Sequence, residues 1–370
     1  QIMAAVSQWA YVNFEDERLL DFQAKDFEML NEVLVETYGT TRTYFFDEIQ
    51  NVDRFESFVR RLQDEGKKVV ITGSNASLLS KELGTRLTGR YKSFEVYPFS
   101  WSEYLAFKRI DISPGDWYDI DRKTGLLKQF QYYLKSGGLP EYLMVDDSHY
   151  VKTLVENILY RDIIVRYAIR KEKTLRELVN ILATNVASPI TYNALKKTLK
   201  LSNAITVKEY IAYLGNSYVF FELLRLSFSA KEQLASPRKI YVVDPAVHLV
   251  CGLTFSVNKG RNFENVVFLE LRRKGFEAYY FAQKHECDFV VKSGSKVVQA
   301  LQVCYALDDA NRHREIGGLL EAMDAFGLDT GTILTLEQSD ELTVDGKRIT
   351  VLPFIRWALE GHPSSMRYKE

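Results

Sequence analysis

The sequence predicts an α/β protein of several domains built on parallel strands. Short apolar runs alternate with segments of helical period along the first hundred residues. Two of those runs end abruptly in polar side chains, and a second group of strand-like and helical segments lies between residues 262 and 305. Chains that alternate strands and helices in this way form parallel sheets covered by helices.

The first informative run is Tyr44-Phe45-Phe46-Asp47-Glu48, where three apolar residues lead into two adjacent carboxylates. P-loop ATPases present a magnesium ligand and a water-polarising base on a buried strand that ends in Asp-Glu, the Walker B motif. Asp47 is therefore the candidate Mg²⁺ ligand, and Glu48 is the candidate base. The alternative is an ordinary strand end that leads into a solvated turn.

A second buried run, Val69-Val70-Ile71, leads into Thr72-Gly73-Ser74-Asn75. The carboxyl ends of adjacent parallel strands meet at one edge of a sheet, where such folds bind ligands. A polar side chain at this position is expected to contact the γ-phosphate and the same water molecule as Glu48.

A glycine-containing turn, residues 84–91, carries Arg86 and Arg90. These arginines are candidates for contacting phosphates, either within one chain or across to a neighbouring subunit. The alternative is a solvated turn whose arginines pair with carboxylates. The run 94–99 then predicts the last strand of this sheet.

The phosphate-binding motif G-x-x-x-x-G-K-[ST] is expected one helix before such strands, and it is absent from these 370 residues. The two Gly-Lys pairs, Gly66-Lys67 and Gly346-Lys347, have no glycine five residues before them. Either the sequence begins just after the loop or the nucleotide site has decayed, and the intact motifs downstream favour the first. Without the loop, we expect poor nucleotide binding.

These motifs, followed by Leu87-Thr88-Gly89-Arg90 and Pro98-Phe99-Ser100, resemble the prokaryotic AAA-type ATPases of the archaeal-ATPase kind. The resemblance implies ATP and Mg²⁺ as cofactors, with Asp47 and Glu48 as the acidic pair. It also implies a phosphate-sensing role for Ser74 or Asn75 and an arginine finger at Arg90, with Arg86 beside the nucleotide. In that family a C-terminal domain of unknown function usually follows the ATPase core.

Four regions are predicted in order. They are a P-loop-type ATPase core (1–105), a helical lid (106–170), a winged-helix module (171–243) and a restriction-endonuclease-like α/β domain (244–370).

The winged-helix prediction depends on three short helices followed by two strand-like runs between residues 174 and 243. Four lysines add positive charge near the second and third helices: Lys196, Lys197, Lys200 and Lys208. One interpretation is DNA binding through the third helix, and the other is a packing or protein-binding module. The third helix has no arginine, which leaves few side chains for reading bases.

The last region places Glu264, Asp288, Gln302 and Cys304 where restriction-endonuclease-like folds converge on Mg²⁺. That chemistry uses carboxylates for the metal and a lysine beside the attacking water. Here the Gln302-x-Cys304 pair replaces the usual acidic residue and lysine, and a hard metal gains little from a thiol. We therefore expect a degenerate site, with DNA or a protein as partner and a nuclease as the rival hypothesis.

Bulk properties complete the prediction. The formal net charge of −1 indicates that any nucleic-acid-binding surface must be local. Three widely spaced cysteines fit a reducing compartment and exclude a disulfide framework. No apolar run is long enough to span a membrane, so a cytoplasmic protein is expected. The oligomeric state stays open.

Overall fold

The structure is a computed structural model that describes residues 8–73, 91–253 and 258–359. It divides into two compact units, Gln1–Phe94 and Glu95–Glu370. Within the described residues, no helix combines the length and apolar character needed to cross a bilayer.

The first unit contains a three-stranded parallel sheet with its second strand in the middle. The strands are β1 (Trp9–Asn13), β2 (Thr43–Asp47) and β3 (Lys68–Ile71), and helices α1 (Phe27–Tyr38) and α2 (Phe55–Asp64) connect them. Four of the five β2 residues are buried, as expected of a central parallel strand. The predicted parallel sheet is confirmed, and its three carboxyl ends share one edge.

Helix α2 covers this sheet with an apolar face that buries Phe55, Phe58, Val59 and Leu62. The Phe58 ring stacks on Phe27 of α1 with ring centroids 4.4 Å apart. Helical spacing of aromatic residues in the sequence therefore yields one core beneath the sheet.

The second unit begins with helices that share a core with its C-terminal part. They are α3 (Trp101–Phe107), α4 (Ile120–Ser136), α5 (Pro140–Val145), α6 (Ser148–Asn157) and a π-helix (Ile158–Val165) that continues α6. Phe130 of α4 stacks on Phe354 at 5.1 Å and meets Phe263 edge-on at 5.9 Å. The helices of the predicted lid thus pack against residues more than a hundred positions later.

Two consecutive glycines, Gly137 and Gly138, lie close against Asp244 and anchor this helical region. Gly137 has φ +67°, and a Cβ there would lie 1.7 Å from Asp244 Oδ1. The backbone N–H of Gly138 donates to Asp244 Oδ2 at 2.7 Å, and the same carboxylate caps the helix that follows it through Ala246 N. Glycine is required at position 137 because a side chain there would push Asp244 away from the end of α4.

The predicted strand over residues 94–99 is wrong: this stretch has no regular structure. Pro98 lacks the backbone N–H that a strand residue donates to a neighbouring strand. Glu95 and Tyr97 instead use their side chains, which contact Arg272 at 3.4 Å and 3.0 Å. Side-chain contacts within the second unit therefore replace the expected backbone pairing.

Four helices and a small antiparallel sheet follow, with strand order β4-β6-β5. The elements are α7 (Glu172–Thr184), β4 (Pro189–Ile190), α8 (Tyr192–Thr198), α9 (Ala204–Asn216), β5 (Phe220–Leu224), α10 (Ala230–Ala235) and β6 (Arg238–Val242). Strand β6 is central, and Ile240, Tyr241 and Val242 are fully buried.

A six-stranded mixed sheet completes the unit, with order β11-β12-β10-β9-β8-β7. Its elements are α11 (Pro245–Cys251), α12 (Lys259–Arg273), β7 (Glu277–Ala282), β8 (Glu286–Ser293), β9 (Lys296–Val303), α13 (Arg312–Phe326), β10 (Thr330–Thr335), β11 (Asp340–Val344), β12 (Lys347–Pro353) and α14 (Phe354–Leu359). The small sheet joins it through a bridge between Arg225 and Tyr280.

Candidate functional site

Asp47 lies at the carboxyl edge of the first sheet, as the last residue of its central strand, and is half-buried. Tyr11 Oη of β1 donates to Asp47 Oδ2 at 3.0 Å. On the other side, Thr72 Oγ1, just after β3, donates to Asp47 Oδ1. Both neighbouring strands therefore hold the carboxylate in place.

Thr72 is fixed by the same edge. Its N–H continues the ladder by donating to Phe46 O at 2.9 Å, and its hydroxyl accepts the N–H of Glu48 at 3.3 Å. One hydroxyl thus connects Asp47 and Glu48, because it can donate one hydrogen bond and still accept others.

Glu48 is the first residue beyond β2 and is half-buried, with φ 50° in the left-handed region. Non-glycine residues adopt this region at a cost in free energy, and such residues cluster at functional sites. Gln50 Nε2 donates to Glu48 Oε2 at 2.6 Å, which orients the carboxylate. The following Ile49 is buried and anchors the turn.

The hydroxyl of Tyr11 remains a donor across the neutral range. Partial burial raises the pKa of Tyr11, and the hydrogen bond to the Asp47 carboxylate raises it further. Asp47 therefore keeps this hydrogen-bond donor.

The other predicted nucleotide-site residues, Ser74, Asn75, Arg86 and Arg90, lie outside the described residues. Their roles stay predictions. Thr72, which directly precedes Gly73 and Ser74, is a residue that sequence reasoning quoted but did not select. The available signal was its position as the first polar residue after a buried strand.

The donor atoms at this edge fit a magnesium-bound nucleotide. Mg²⁺ prefers oxygen ligands and is commonly held by one or two carboxylates together with substrate phosphates and waters. Each Asp47 oxygen accepts one of the described side-chain hydrogen bonds, and a carboxylate oxygen can accept more than one. Among the described residues, no group of three or more His, Cys, Asp or Glu side chains forms a metal site. A magnesium–nucleotide site does not require one.

The second group of predicted residues surrounds a buried lysine. Lys239 Nζ donates to Glu264 Oε1 at 2.8 Å and to Asp288 Oδ1 at 2.9 Å, and it lies 2.8 Å from Glu286 Oε1. Tyr241 Oη donates to the same Glu264 oxygen at 2.7 Å. Glu264 and Asp288 thus contact the same ammonium group, and their predicted role as metal ligands stays a prediction.

Gln302 joins the same cluster, and Cys304 lies near it in an apolar part of the core. Gln302 Oε1 accepts from Asp288 N at 3.2 Å, and its Nε2 donates to Glu315 Oε2 at 2.6 Å. Cys304 is buried in an apolar cluster that includes Ile316. Burial, together with nearby carboxylates, raises the pKa of the Cys304 thiol to about 12, so the thiolate form of a metal ligand is disfavoured.

Glu264 is the most perturbed carboxyl group of the cluster. Burial and the charge of Asp288 raise the pKa of Glu264 to about 8, against the opposing effect of Lys239. Three carboxyl groups share one ammonium, so one of them keeps a proton at neutral pH.

The four lysines proposed to contact DNA lie around α8 and α9. Lys196 is half-buried, and the other three are exposed: Lys197, Lys200 and Lys208. Two belong to α8, Lys200 follows it with φ 52°, and Lys208 is on α9. The DNA-contact role stays a prediction.

Comparisons with known proteins match two regions of the chain to described families. Residues 1–105 match a family described as AAA domain, and residues 127–254 match a domain of unknown function, DUF8612. An uncharacterized protein of Methanocaldococcus jannaschii, MJ1544, is 37% identical over 368 residues, which cover 94% of this chain and 81% of that protein. An uncharacterized protein of Haemophilus influenzae is 27% identical over 364 residues, covering 95% of this chain and 86% of that one.

Among solved structures, the Walker-type ATPase PABY2304 of Pyrococcus abyssi is 16% identical. The superposition has a TM-score of 0.35 and covers 61% of this chain and 66% of that one.

Proposed function

Because the chain belongs to the same family as the uncharacterized M. jannaschii protein and opens with an AAA domain, we propose that the protein is an ATPase that requires Mg²⁺. The observation that carries the proposal is Asp47 at the carboxyl edge of a parallel sheet, bonded by Tyr11 and Thr72, with Glu48 one residue further on. Parallel α/β sheets bind ligands at this edge.

In this proposal, Asp47 supplies a metal ligand whose position is set before the nucleotide arrives. Two hydrogen bonds from adjacent strands restrict its rotation, so little reorganisation is needed on binding. Bound Mg²⁺ supplies charge stabilisation to the phosphate oxygens.

Glu48 orients the attacking water and accepts its proton. Its left-handed backbone and the Gln50 contact hold the carboxylate just beyond the strand end. We further propose that Ser74 or Asn75 contacts the γ-phosphate and that Arg86 and Arg90 meet the phosphates. The AAA match over residues 1–105 supports this set.

Nucleotide binding tests the metal-ligand role of Asp47. A fluorescent ATP analogue is titrated with and without Mg²⁺ into the protein as its gene encodes it, into Asp47→Asn, and into Asp53→Asn as an exposed control. We expect the Mg²⁺ dependence of affinity to fall at least tenfold in Asp47→Asn and to be retained in Asp53→Asn. Equal Mg²⁺ dependence in all three would reject Asp47 as the ligand.

We propose, as a second function, that ATP turnover is coupled to DNA binding through a winged-helix module. The order α7-β4-α8-α9-β5-α10-β6, with β5 and β6 antiparallel, and three exposed lysines around α8 and α9 support it. Lysines that contact phosphates release counterions, so affinity should fall with salt.

The test compares two triple lysine-to-glutamine variants of equal charge in duplex-binding titrations. One replaces Lys197, Lys200 and Lys208, and the control replaces exposed Lys231, Lys284 and Lys296. We expect the first to reduce the slope of log affinity against log salt by about 2–3, at about 0.9 per phosphate contact, and the second to leave it unchanged. Identical slopes would favour a protein-binding module.

A further inference from the structure

Lys239 is a charged residue in a position where the fold otherwise places apolar side chains. It lies on β6, the central strand of the small sheet, and its side chain is 1% exposed. An isolated buried charge is very unfavourable, so the ammonium must be paired. Its three N–H donors match three carboxylate oxygens, which lie within 2.9 Å.

Two of those carboxylates also accept a hydrogen bond from a group other than the lysine. Asp288 Oδ2 accepts from Val303 N at 3.0 Å, and Glu264 Oε1 accepts from Tyr241 Oη at 2.7 Å. Glu286 and Asp288 lie on β8, whereas Glu264 is on α12. Oxygens that converge on one point from rigid elements form the kind of arrangement that hard divalent cations use.

We propose that the Lys239 ammonium is a built-in cation that occupies a divalent-metal position between Glu264, Glu286 and Asp288. The cluster consequently binds no metal in the native protein, and it gains a divalent-cation site when the ammonium is removed. In the native protein, the ion pairs of Lys239 hold β6 against α12 and β8 without a metal. Metal-dependent phosphodiester hydrolysis at Asp288 is therefore excluded while Lys239 is present.

The experiment measures Mn²⁺ binding by electron paramagnetic resonance without nucleotide. Every variant also carries Asp47→Asn, so that bound Mn²⁺ does not report the site in the first unit. In the protein that retains Lys239, we expect no Mn²⁺ binding that Asp288→Asn abolishes. We expect one Mn²⁺ per chain in Lys239→Ala, and none when Asp288→Asn is added to it.

Thermal unfolding supplies the second readout. Lys239→Ala should unfold at a lower temperature, and Mn²⁺ at about 100 times its Kd should raise that temperature by about 5 °C. Mg²⁺ should act in the same direction. The Lys239→Ala, Asp288→Asn protein should not respond.

Two results would overturn the proposal. One is Mn²⁺ binding to the protein that retains Lys239, abolished by Asp288→Asn, because the acids would then hold a metal beside the lysine. The other is a folded Lys239→Ala protein that binds no Mn²⁺. If Lys239→Ala unfolds, recovery of its folded state by Mn²⁺ supports the proposal. The claim that the native cluster binds no metal is then tested by Mn²⁺ binding to the protein that retains Lys239.

Discussion

The proton held by Glu264 makes the stability of the second unit depend on pH. The pKa of Glu264 is raised from 4.5 to about 8, because the side chain is buried and faces the charge of Asp288, against the opposing effects of Lys239 and Tyr241. The folded state therefore keeps a proton that the unfolded chain releases near pH 4.5. The stabilisation is complete below pH 4.5 and is lost as the pH rises to about 8.

The size of the effect follows from linkage. One pKa unit corresponds to about 1.4 kcal/mol, so the whole window corresponds to about 5 kcal/mol. Between pH 6.5 and 8.0 the expected loss is about 2 kcal/mol. Asp244, whose pKa is raised by burial to about 6, and His248, whose pKa is lowered by burial, contribute equally in a variant that changes only Glu264.

Glu264→Gln removes this linkage and retains an oxygen that can accept from Lys239 and Tyr241. Urea unfolding followed by tryptophan fluorescence reports mainly the second unit, since Trp101, Trp117 and Trp357 belong to it and only Trp9 does not. The native chain should lose about 2 kcal/mol more than Glu264→Gln between pH 6.5 and 8.0. Equal losses would show that Glu264 is ionised throughout and would refute the charge argument.

Two further predictions concern local contacts. Thr72→Val removes the hydroxyl between Asp47 and Glu48 and should reduce ATP hydrolysis about 5–150-fold, the loss expected for about 1–3 kcal/mol, whereas the exposed Thr40→Val should leave it unchanged. Gly318→Ala should destabilise the second unit in urea unfolding by more than about 1 kcal/mol, because its Cβ would lie 2.0 Å from Glu286 O. Its control, Gly125→Ala in α4, meets nothing within 4 Å and should stabilise by about 0.5–1 kcal/mol; the opposite order would contradict the packing argument.

The sequence predicted the parallel sheet of the first unit because its signal is local. Buried parallel strands are continuous apolar runs, and β2 is such a run. The position of Asp47 at the strand end followed directly from that run. The contact between Asp47 and Thr72 depends on how β2 and β3 pair, which periodicity alone does not specify.

The lysine cluster was only half predictable. Glu264 and Asp288 were expected to meet, but Lys239 reaches them across 25 and 49 positions of sequence. A local signal did exist. Lys239 interrupts an apolar strand whose neighbours Ile240 and Val242 are buried, and a charge in a central strand requires a buried partner. The identity of that partner depends on tertiary packing.

The strand predicted over 94–99 failed for a related reason. Its residues have high β-propensity, but propensity is a weak guide in a segment that pairs with none of the described strands. Tyr97 and Glu95 instead contact Arg272, 175 and 177 positions away.

Steady-state ATP hydrolysis by Glu48→Gln tests the central claim most directly. The measurement compares the protein as its gene encodes it with Glu48→Gln and with Glu65→Gln, an exposed acid of the same unit. We expect Glu48→Gln to bind ATP and to hydrolyse it about 10²–10⁴-fold more slowly, the usual contribution of a positioned base, and Glu65→Gln to keep full activity. Full activity in Glu48→Gln would contradict the assignment of the sheet edge as an ATPase site.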